Sequence, residues 1–178
     1  MVDALIVDYR QQTFNDALYF LEEAKKIDPQ KKPFDYWKNC ILSIILSCVC
    51  MESYIISHIR SMTDEIDPQI WVIYQNNKRM GFYSKVKFIE FISDSKIIDE
   101  GDSEWKNITD AIEIRNDIIH FNQENIFSII TISNAGNAIN ACRDFVKKIN
   151  NAIGLDNKQF SRWIDKKTSE DYNKPENS

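Results

Sequence analysis

Three residues in one short segment, Arg115, Asn116 and His120, combine side chains that suit reactions of phosphate esters. The imidazole of a histidine changes its charge near neutral pH and can move a proton. An arginine offers a forked, permanently charged set of donors to phosphate oxygens, and an asparagine amide can orient either partner. The chain has only two histidines, His58 and His120. The search for acid–base chemistry therefore begins at these two positions.

A helix predicted from about Glu104 to His120 must position this segment. An α-helix turns about 100° per residue, so Asn116 and His120 lie on one face with Arg115 beside them. The spacing also places Arg115 on an apolar stripe, where a cation is costly unless it is paired or faces a cleft. That stripe consists of Ile108, Ala111, Ile112, Ile118 and Ile119.

A second helix, predicted from about Phe34 to Met62, carries an acid in the same kind of position. Glu52 interrupts the apolar stripe of Ile45, Val49, Ile55 and Ile59. We therefore expect a contact between Glu52 and Arg115, in which the acid orients the arginine and lowers the cost of burying it. There are two structural alternatives to a functional site. The Glu–Arg pair could only set the register of the two helices, or the side chains of Arg115 and His120 could extend to solvent at the end of the bundle.

A local basic patch is the best candidate for docking RNA. The run from Asn76 to Ile89 contains no acid and includes Phe82 and Tyr83, which could stack on bases. The alternative is a solvated helix face with Phe82 in the core. His58 could join a cleft, but such a residue is more often a structural histidine. The basic residues of the patch are Lys78, Arg79, Lys85 and Lys87.

The order R-N-D-I-I-H at 115–120, with the acid embedded in the apolar run S-C-V-C-M-E-S-Y, resembles the HEPN family of small α-helical bundles. In that family an Arg, usually followed by a polar residue, precedes a His by four to six positions. The resemblance covers roughly residues 1 to 155. It implies that Arg115, Asn116 and His120 are catalytic residues, with Glu52 a less direct assignment.

Active members of that family are metal-independent endoribonucleases, many from toxin–antitoxin or phage-defence systems, and they dimerise so that two motifs form one cleft. The resemblance thus implies an RNA substrate, a homodimer, an antitoxin or other protein partner, and no metal or cofactor. Attack by the RNA 2′-hydroxyl predicts 2′,3′-cyclic phosphate and 5′-hydroxyl ends. Two alternatives stay open: a non-catalytic HEPN-like module that binds a nucleotide, RNA or protein, and a purely structural bundle.

Composition limits the other possibilities. The 178 residues are 43% hydrophobic and 28% charged, with four Gly and four Pro, which favours one all-α domain over a barrel or sandwich. A net charge of -5 argues against binding nucleic acid through the global field, although a local site is possible. No secretory signal is visible at the N-terminus, and the charge-free run 39–51 is too short to span a bilayer. The spacing of the four cysteines favours buried, reduced thiols. We expect a cytoplasmic protein with no membrane association.

The remaining periodicity predicts an antiparallel four- to five-helix bundle over residues 1–167 and a polar, disordered tail over 168–178. Besides the two helices above, we expect helices over 3–27 and 68–75, one capped by Ser84, and a long one from a Ser133 cap to a Gly154 stop. The β-branched stretch 127–132 is predicted to be extended. A short segment near 160–164 is expected to pack back on the bundle.

Overall fold

The computed structural model describes residues 9–66, 68–76, 80–120, 125–154 and 162–169, and every regular element within them is helical. The predicted all-α class and helical bundle are confirmed. Two short 3₁₀ turns, Ile126–Ser128 and Arg162–Asp165, accompany the α-helices. The helices are α1 (Tyr9–Lys25), α2 (Pro33–Ile66), α3 (Pro68–Asn76), α4 (Phe82–Ser93), α5 (Ser103–His120) and α6 (Ile132–Ala152).

Helices α1 and α2 form an antiparallel pair joined by a tight turn. The carbonyl of Asp28 accepts hydrogen bonds from the backbone amides of Lys31 and Lys32, which closes the turn. At the far end of the pair, the Arg10 guanidinium donates to the Ser57 hydroxyl at 2.9 Å. The apolar stripe predicted for α1 is buried, as amphipathic periodicity requires, and includes Phe14, Ala17, Leu18, Leu21 and Ala24.

Helix α2 is the centre of the molecule and packs closely along α6. The two helices run in the same direction, because Tyr36 near the start of α2 contacts Ile132 at the start of α6, and Tyr54 further along α2 hydrogen-bonds Asn150 near the end of α6. Small buried side chains along both helices allow this close approach. They include Ser43, Ser47 and Cys50 on α2 and Ala135, Ala138 and Cys142 on α6.

Helix α5 returns antiparallel to α6 and completes the four-helix core. Lys148 near the end of α6 pairs with Asp102 and Glu104 at the start of α5. Helices α3 and α4 cover the side of α2, and Phe82 at the start of α4 packs 5.2 Å from the ring of Phe145. Within the described residues the bundle thus consists of four long helices, and the shorter α3 and α4 pack against α2.

Three local predictions need correction. The stretch 127–132 is not extended: residues Ile126–Ser128 form a 3₁₀ turn, and Ile132 already begins α6. Thr131, not Ser133, caps α6, because its hydroxyl accepts from the Asn134 amide at 3.1 Å. Ser84 lies inside α4, which begins at Phe82 because burying that ring extends the helix. The Gly154 stop is confirmed, with a φ of 71° that favours glycine.

The C-terminal segment packs back on the bundle through Ile164, which is fully buried, and Trp163. Arg143 on α6 donates to the carbonyls of Ile164 and Lys166. Further along, the amide and hydroxyl of Ser169 donate to the Glu22 carboxylate of α1. Ser169 belongs to the stretch predicted as a tail, and residues 170–178 lie outside the described part of the chain.

One described helix is long and apolar enough to cross a membrane by length and composition. It spans Pro33–Met62, with a mean hydropathy of 2.0 in its most apolar window, and half of that window is buried against other helices. A central core helix has the same composition. The packing of α2 against α1, α5 and α6 is a structural reason for its apolar composition.

Candidate functional site

The predicted contact between Glu52 and Arg115 is present. The Arg115 guanidinium donates to Glu52 Oε1, and the side chains are 19% and 28% exposed. Lys85 on α4 approaches the other carboxylate oxygen, Oε2, at 3.5 Å and is 13% exposed. One acid on α2 therefore pairs with one cation from α5 and one from α4. Glu52, Arg115 and Lys85 form an ion-pair cluster where the three helices meet.

Cys48 lies one turn before Glu52 on α2 and closes the inner side of the cluster. Its thiol contacts the Ala111 carbonyl at 3.5 Å, and burial raises its pKa to about 12, although nearby Arg115 opposes the shift. The thiol is therefore not a nucleophile at neutral pH. Burial, followed by the charge of Glu52, also raises the pKa of the Tyr74 hydroxyl on α3. Sequence reasoning missed Tyr74 and the pairing of Lys85 with Glu52, because neither follows from spacing on one helix.

The Arg115 guanidinium is only partly satisfied. Its Nη2 atom pairs with Glu52, but its Nε is buried without a hydrogen-bond partner among the described residues. A buried donor of this kind is costly when unpaired. The Nε itself is closed to solvent, whereas 19% of the Arg115 side chain is exposed.

His120 lies in a different environment from Arg115. It is the last residue of α5 and is exposed, whereas Asn116 is half-buried one turn earlier. Five residues of α-helix separate the directions of Arg115 and His120 by about 140°. Arg115 therefore turns toward α2, while His120 remains at the helix end, accessible to a substrate or a second protein.

Of the four predicted RNA-binding residues, the two that the structure describes both pair with acids. Lys85 turns inward to Glu52, and Lys87 pairs with Glu90 at 2.9 Å. Phe82 is buried, so it belongs to the core as the structural alternative proposed, whereas Tyr83 is 45% exposed. Lys78 and Arg79 lie outside the described residues.

His58 is buried in α2, 6% exposed, with its ring 4.4 Å from that of Tyr54. Burial, reinforced by the positive charge of Arg10, lowers the pKa of His58 to about 4. Its Nε2 has no hydrogen-bond partner among the described residues. The imidazole is therefore neutral at physiological pH, which fits the structural interpretation of this histidine rather than a role in proton transfer.

All four cysteines are buried and unpaired by disulfides, as predicted. Among the described residues, no group of three or more His, Cys, Asp or Glu side chains lies close enough together to hold a metal ion.

Comparisons with protein-family models, with curated proteins and with solved structures found no match to this chain. What the fold and the site define is an all-helical bundle with a half-buried Glu–Arg pair and an exposed histidine on the same helix as the arginine. Functional interpretation therefore depends on these residues.

Proposed function

We propose that the protein is a metal-independent endoribonuclease of HEPN type that cleaves RNA to 2′,3′-cyclic phosphate and 5′-hydroxyl ends. The reaction uses the 2′-hydroxyl of the substrate as nucleophile and needs proton transfer at that hydroxyl and at the leaving 5′-oxygen. His120 supplies this transfer, and Arg115 stabilises the charge that develops on the phosphate oxygens. Asn116 orients the imidazole or the phosphate.

The observation that supports this proposal is the contact of Glu52 with Arg115. The carboxylate holds one edge of the guanidinium in place, which fixes its orientation before a substrate arrives. The Arg115 side chain is 19% exposed, so part of it can be reached from solvent while Glu52 holds the guanidinium.

A homodimer is part of the proposal, because one exposed imidazole cannot act as base and acid at opposite sides of one phosphorus atom. Two copies of His120, one from each protomer, supply both roles. Ile119 is 47% exposed beside His120, and a second copy packed there would cover an apolar side chain. We further propose a cytoplasmic location, supported by the buried, reduced cysteines. From the HEPN resemblance we propose a role in a toxin–antitoxin or phage-defence system, with an antitoxin or another protein as regulator.

A second candidate is a non-catalytic module that binds RNA, a nucleotide or a protein. The specific observation in its favour is that Arg115 and Lys85 are both engaged by Glu52. Such pairing lowers the positive potential available to a phosphate. In this alternative the cluster stabilises the junction of α2, α4 and α5, and His120 contributes only to binding.

The test is incubation of structured and unstructured RNA with wild-type protein and with His120→Ala in excess EDTA, followed by analysis of the cleavage ends. We expect cyclic-phosphate and 5′-hydroxyl ends from the wild-type protein only. His58→Gln is the matched control, because it removes the other imidazole while keeping His120. It should cleave RNA at the wild-type rate when circular dichroism shows that it is folded.

Two outcomes count against the proposal. Cleavage by His120→Ala at the wild-type rate would show that His120 is not the acid–base group. RNA that stays intact with folded, dimeric wild-type protein, yet binds it in a manner weakened by His120→Ala, would favour the non-catalytic module. Sedimentation measurements on the same samples establish whether the dimer is present.

A further inference from the structure

The end of the bundle at which α2 and α6 begin carries a group of exposed aromatic rings. Trp37 near the start of α2 stacks on Phe127 of the first 3₁₀ turn, with ring centroids 4.2 Å apart. Phe34, three residues earlier on α2, packs edge-on against Trp37 at 5.6 Å. Phe34 is 78% exposed and Phe127 is 48% exposed. Single exposed apolar residues are ordinary, but a contiguous group such as this aromatic cluster marks a surface that contacts another molecule.

Lysines lie next to the aromatic cluster. The segment 25–38, from the end of α1 into α2, contains five lysines and two aspartates, although the whole chain has a net charge of -5. All five are exposed: Lys25, Lys26, Lys31, Lys32 and Lys38. Lys26 pairs with Glu23 and Lys31 with Asp28, and such pairs at the surface contribute little in water. The segment therefore gives this end of the bundle a local positive charge.

The neighbouring elements do not offset that charge. From Asn125 to Cys142 the chain contains no Asp, Glu, Lys or Arg. This stretch forms the first 3₁₀ turn and the first half of α6, which begins beside the start of α2 because the Ile132 amide donates to the Tyr36 hydroxyl. The surface next to the lysines is therefore neutral and partly apolar.

An anionic lipid surface matches both features of this end. Exposed Trp and Phe side chains enter the interface of a bilayer, and clustered lysines are attracted to the anionic lipids of the cytoplasmic leaflet. The segment 25–38 contains no arginine, whereas recognition of nucleic-acid phosphates favours the forked guanidinium. Phe127 also stacks on the Trp37 ring, so a nucleobase would compete with it for that ring. These observations favour a lipid surface over a strand of RNA.

We propose that the aromatic cluster and the lysines of segment 25–38 dock the protein on an anionic membrane surface. The rings of Phe34 and Trp37 enter the boundary between headgroups and acyl chains, and the lysines lie against the lipid phosphates. The sequence-based expectation of no membrane association depended on the lack of a signal and of a span, and surface docking needs neither. The inference does not depend on RNA cleavage, because these residues lie outside the proposed catalytic set.

The test is sedimentation of the full wild-type chain with vesicles of phosphatidylcholine, alone or with about 30% phosphatidylserine. We expect the partition coefficient to be at least about 10-fold higher on the anionic vesicles, because the lysines are attracted to their surface charge. Binding to the anionic vesicles should weaken as the salt concentration is raised, because salt screens that attraction.

One variant tests the contribution of the aromatic cluster. Phe34→Ala should lower the partition coefficient on anionic vesicles by about 10-fold or more, because an apolar ring no longer leaves water. The matched control is Phe91→Ala, which removes a ring that is 81% exposed on α4. The end of α4 lies at the opposite end of the bundle, where the Ser95 hydroxyl donates to the Ala152 carbonyl at 2.6 Å. This control should bind as the wild-type protein does.

A pair of double variants tests the contribution of the lysines. Lys32→Gln combined with Lys38→Gln should lower the partition coefficient on anionic vesicles by about 10-fold or more. Lys96→Gln combined with Lys106→Gln is the matched control, because both lysines are exposed and lie outside segment 25–38. It makes the same change in net charge and should lower the partition coefficient by less than about 2-fold.

Three results would overturn the inference, each obtained with protein that circular dichroism shows to be folded. The first is wild-type protein that does not sediment with anionic vesicles. The second is Phe34→Ala, or the double variant of Lys32 and Lys38, binding no more weakly than its control. The third is a lack of vesicle binding together with Phe34-dependent binding of a 2′-O-methyl RNA oligomer or of polyglutamate. That result would assign the surface to a nucleic acid or an acidic protein. None of these results measures RNA cleavage, so the proposed function is tested separately.

Discussion

The two histidines of this chain occupy opposite environments. His58 lies in the middle of α2, buried against Tyr54, with its pKa lowered to about 4. His120 ends α5 and is exposed. Burial disfavours the charged imidazole, so His58 is neutral at the pH where a catalytic histidine must exchange protons. The comparison teaches that residue type does not assign a role, since accessibility decides which imidazole can react.

Arg115 stands between these extremes. It is half-buried like a structural residue, but it is charged and oriented by Glu52 like a functional one. Arg115 lies about one and a half turns before His120 on α5. The same helix therefore carries both the half-buried ion pair and the exposed histidine. A site on a helix holds its groups more precisely than a site on a loop.

The largest expected effect distinguishes the two histidines by activity. His120→Ala should reduce RNA cleavage at least about 100-fold, because a lost general acid–base group typically costs that much. His58→Gln should leave the cleavage rate unchanged. Initial rates on a labelled RNA in EDTA measure both. Equal losses in the two variants would remove the functional difference between the histidines.

The next largest expected effect is on the pH dependence of the free energy of unfolding, to which the buried His58 contributes. The folded state keeps His58 neutral, whereas the unfolded chain protonates it below a pH of about 6.5. The free energy of unfolding should therefore fall as pH decreases from about 6.5 toward 4, by about 2 kcal/mol at pH 5. Urea unfolding at pH 7 and pH 5 measures the change. His58→Gln should lack this contribution, and a variant with the wild-type slope would refute the assignment.

A smaller effect on stability is expected when the half-buried Glu52–Arg115 pair is broken. Glu52→Ala leaves the half-buried cations Arg115 and Lys85 without their acid, and we expect a loss of about 1 to 2 kcal/mol in the free energy of unfolding. The control is Lys96→Ala, which removes an ion pair with Asp99 between side chains 77% and 61% exposed. That control should show no measurable change. If Glu52→Ala is equally silent, the pair does not stabilise the junction of the helices.

The smallest expected effect is on the stability of His120→Ala. The imidazole is exposed at the end of α5, so its removal should change the free energy of unfolding by less than about 0.5 kcal/mol. Thermal unfolding followed by circular dichroism measures this at pH 7. A loss of several kcal/mol would place His120 in a structural role and weaken the contrast with His58.

Much of the fold was predictable because helical periodicity is a local property of the chain. The apolar stripes of α1 and α6 are visible in the sequence, and the Gly154 stop depends on a φ that glycine adopts at little cost. The start of α6 was not predicted correctly, because Ser133 and Thr131 are both good caps by type. Thr131 is the cap because α6 begins at Ile132, and the position of that first residue depends on the path of the chain through the preceding 3₁₀ turn.

The candidate site was predictable in part for the same reason. An acid and an arginine that each interrupt an apolar stripe must find partners, so the sequence alone predicted that Glu52 and Arg115 meet. The sequence did not predict that Lys85, which it assigned to a basic patch, would pair with Glu52. That contact requires α4 to pack beside α2, which no spacing within α4 reveals.

The sequence by itself determined the all-helical class, the buried cysteines and the residues of the Glu52 to Arg115 contact, because these follow from periodicity and from the cost of burying charge. Only the tertiary structure decided that His58 is buried while His120 is exposed, and that Lys85 of α4 pairs with the same acid as Arg115. Such groupings depend on how helices pack, and residues distant in the chain carry no local signal of their contact.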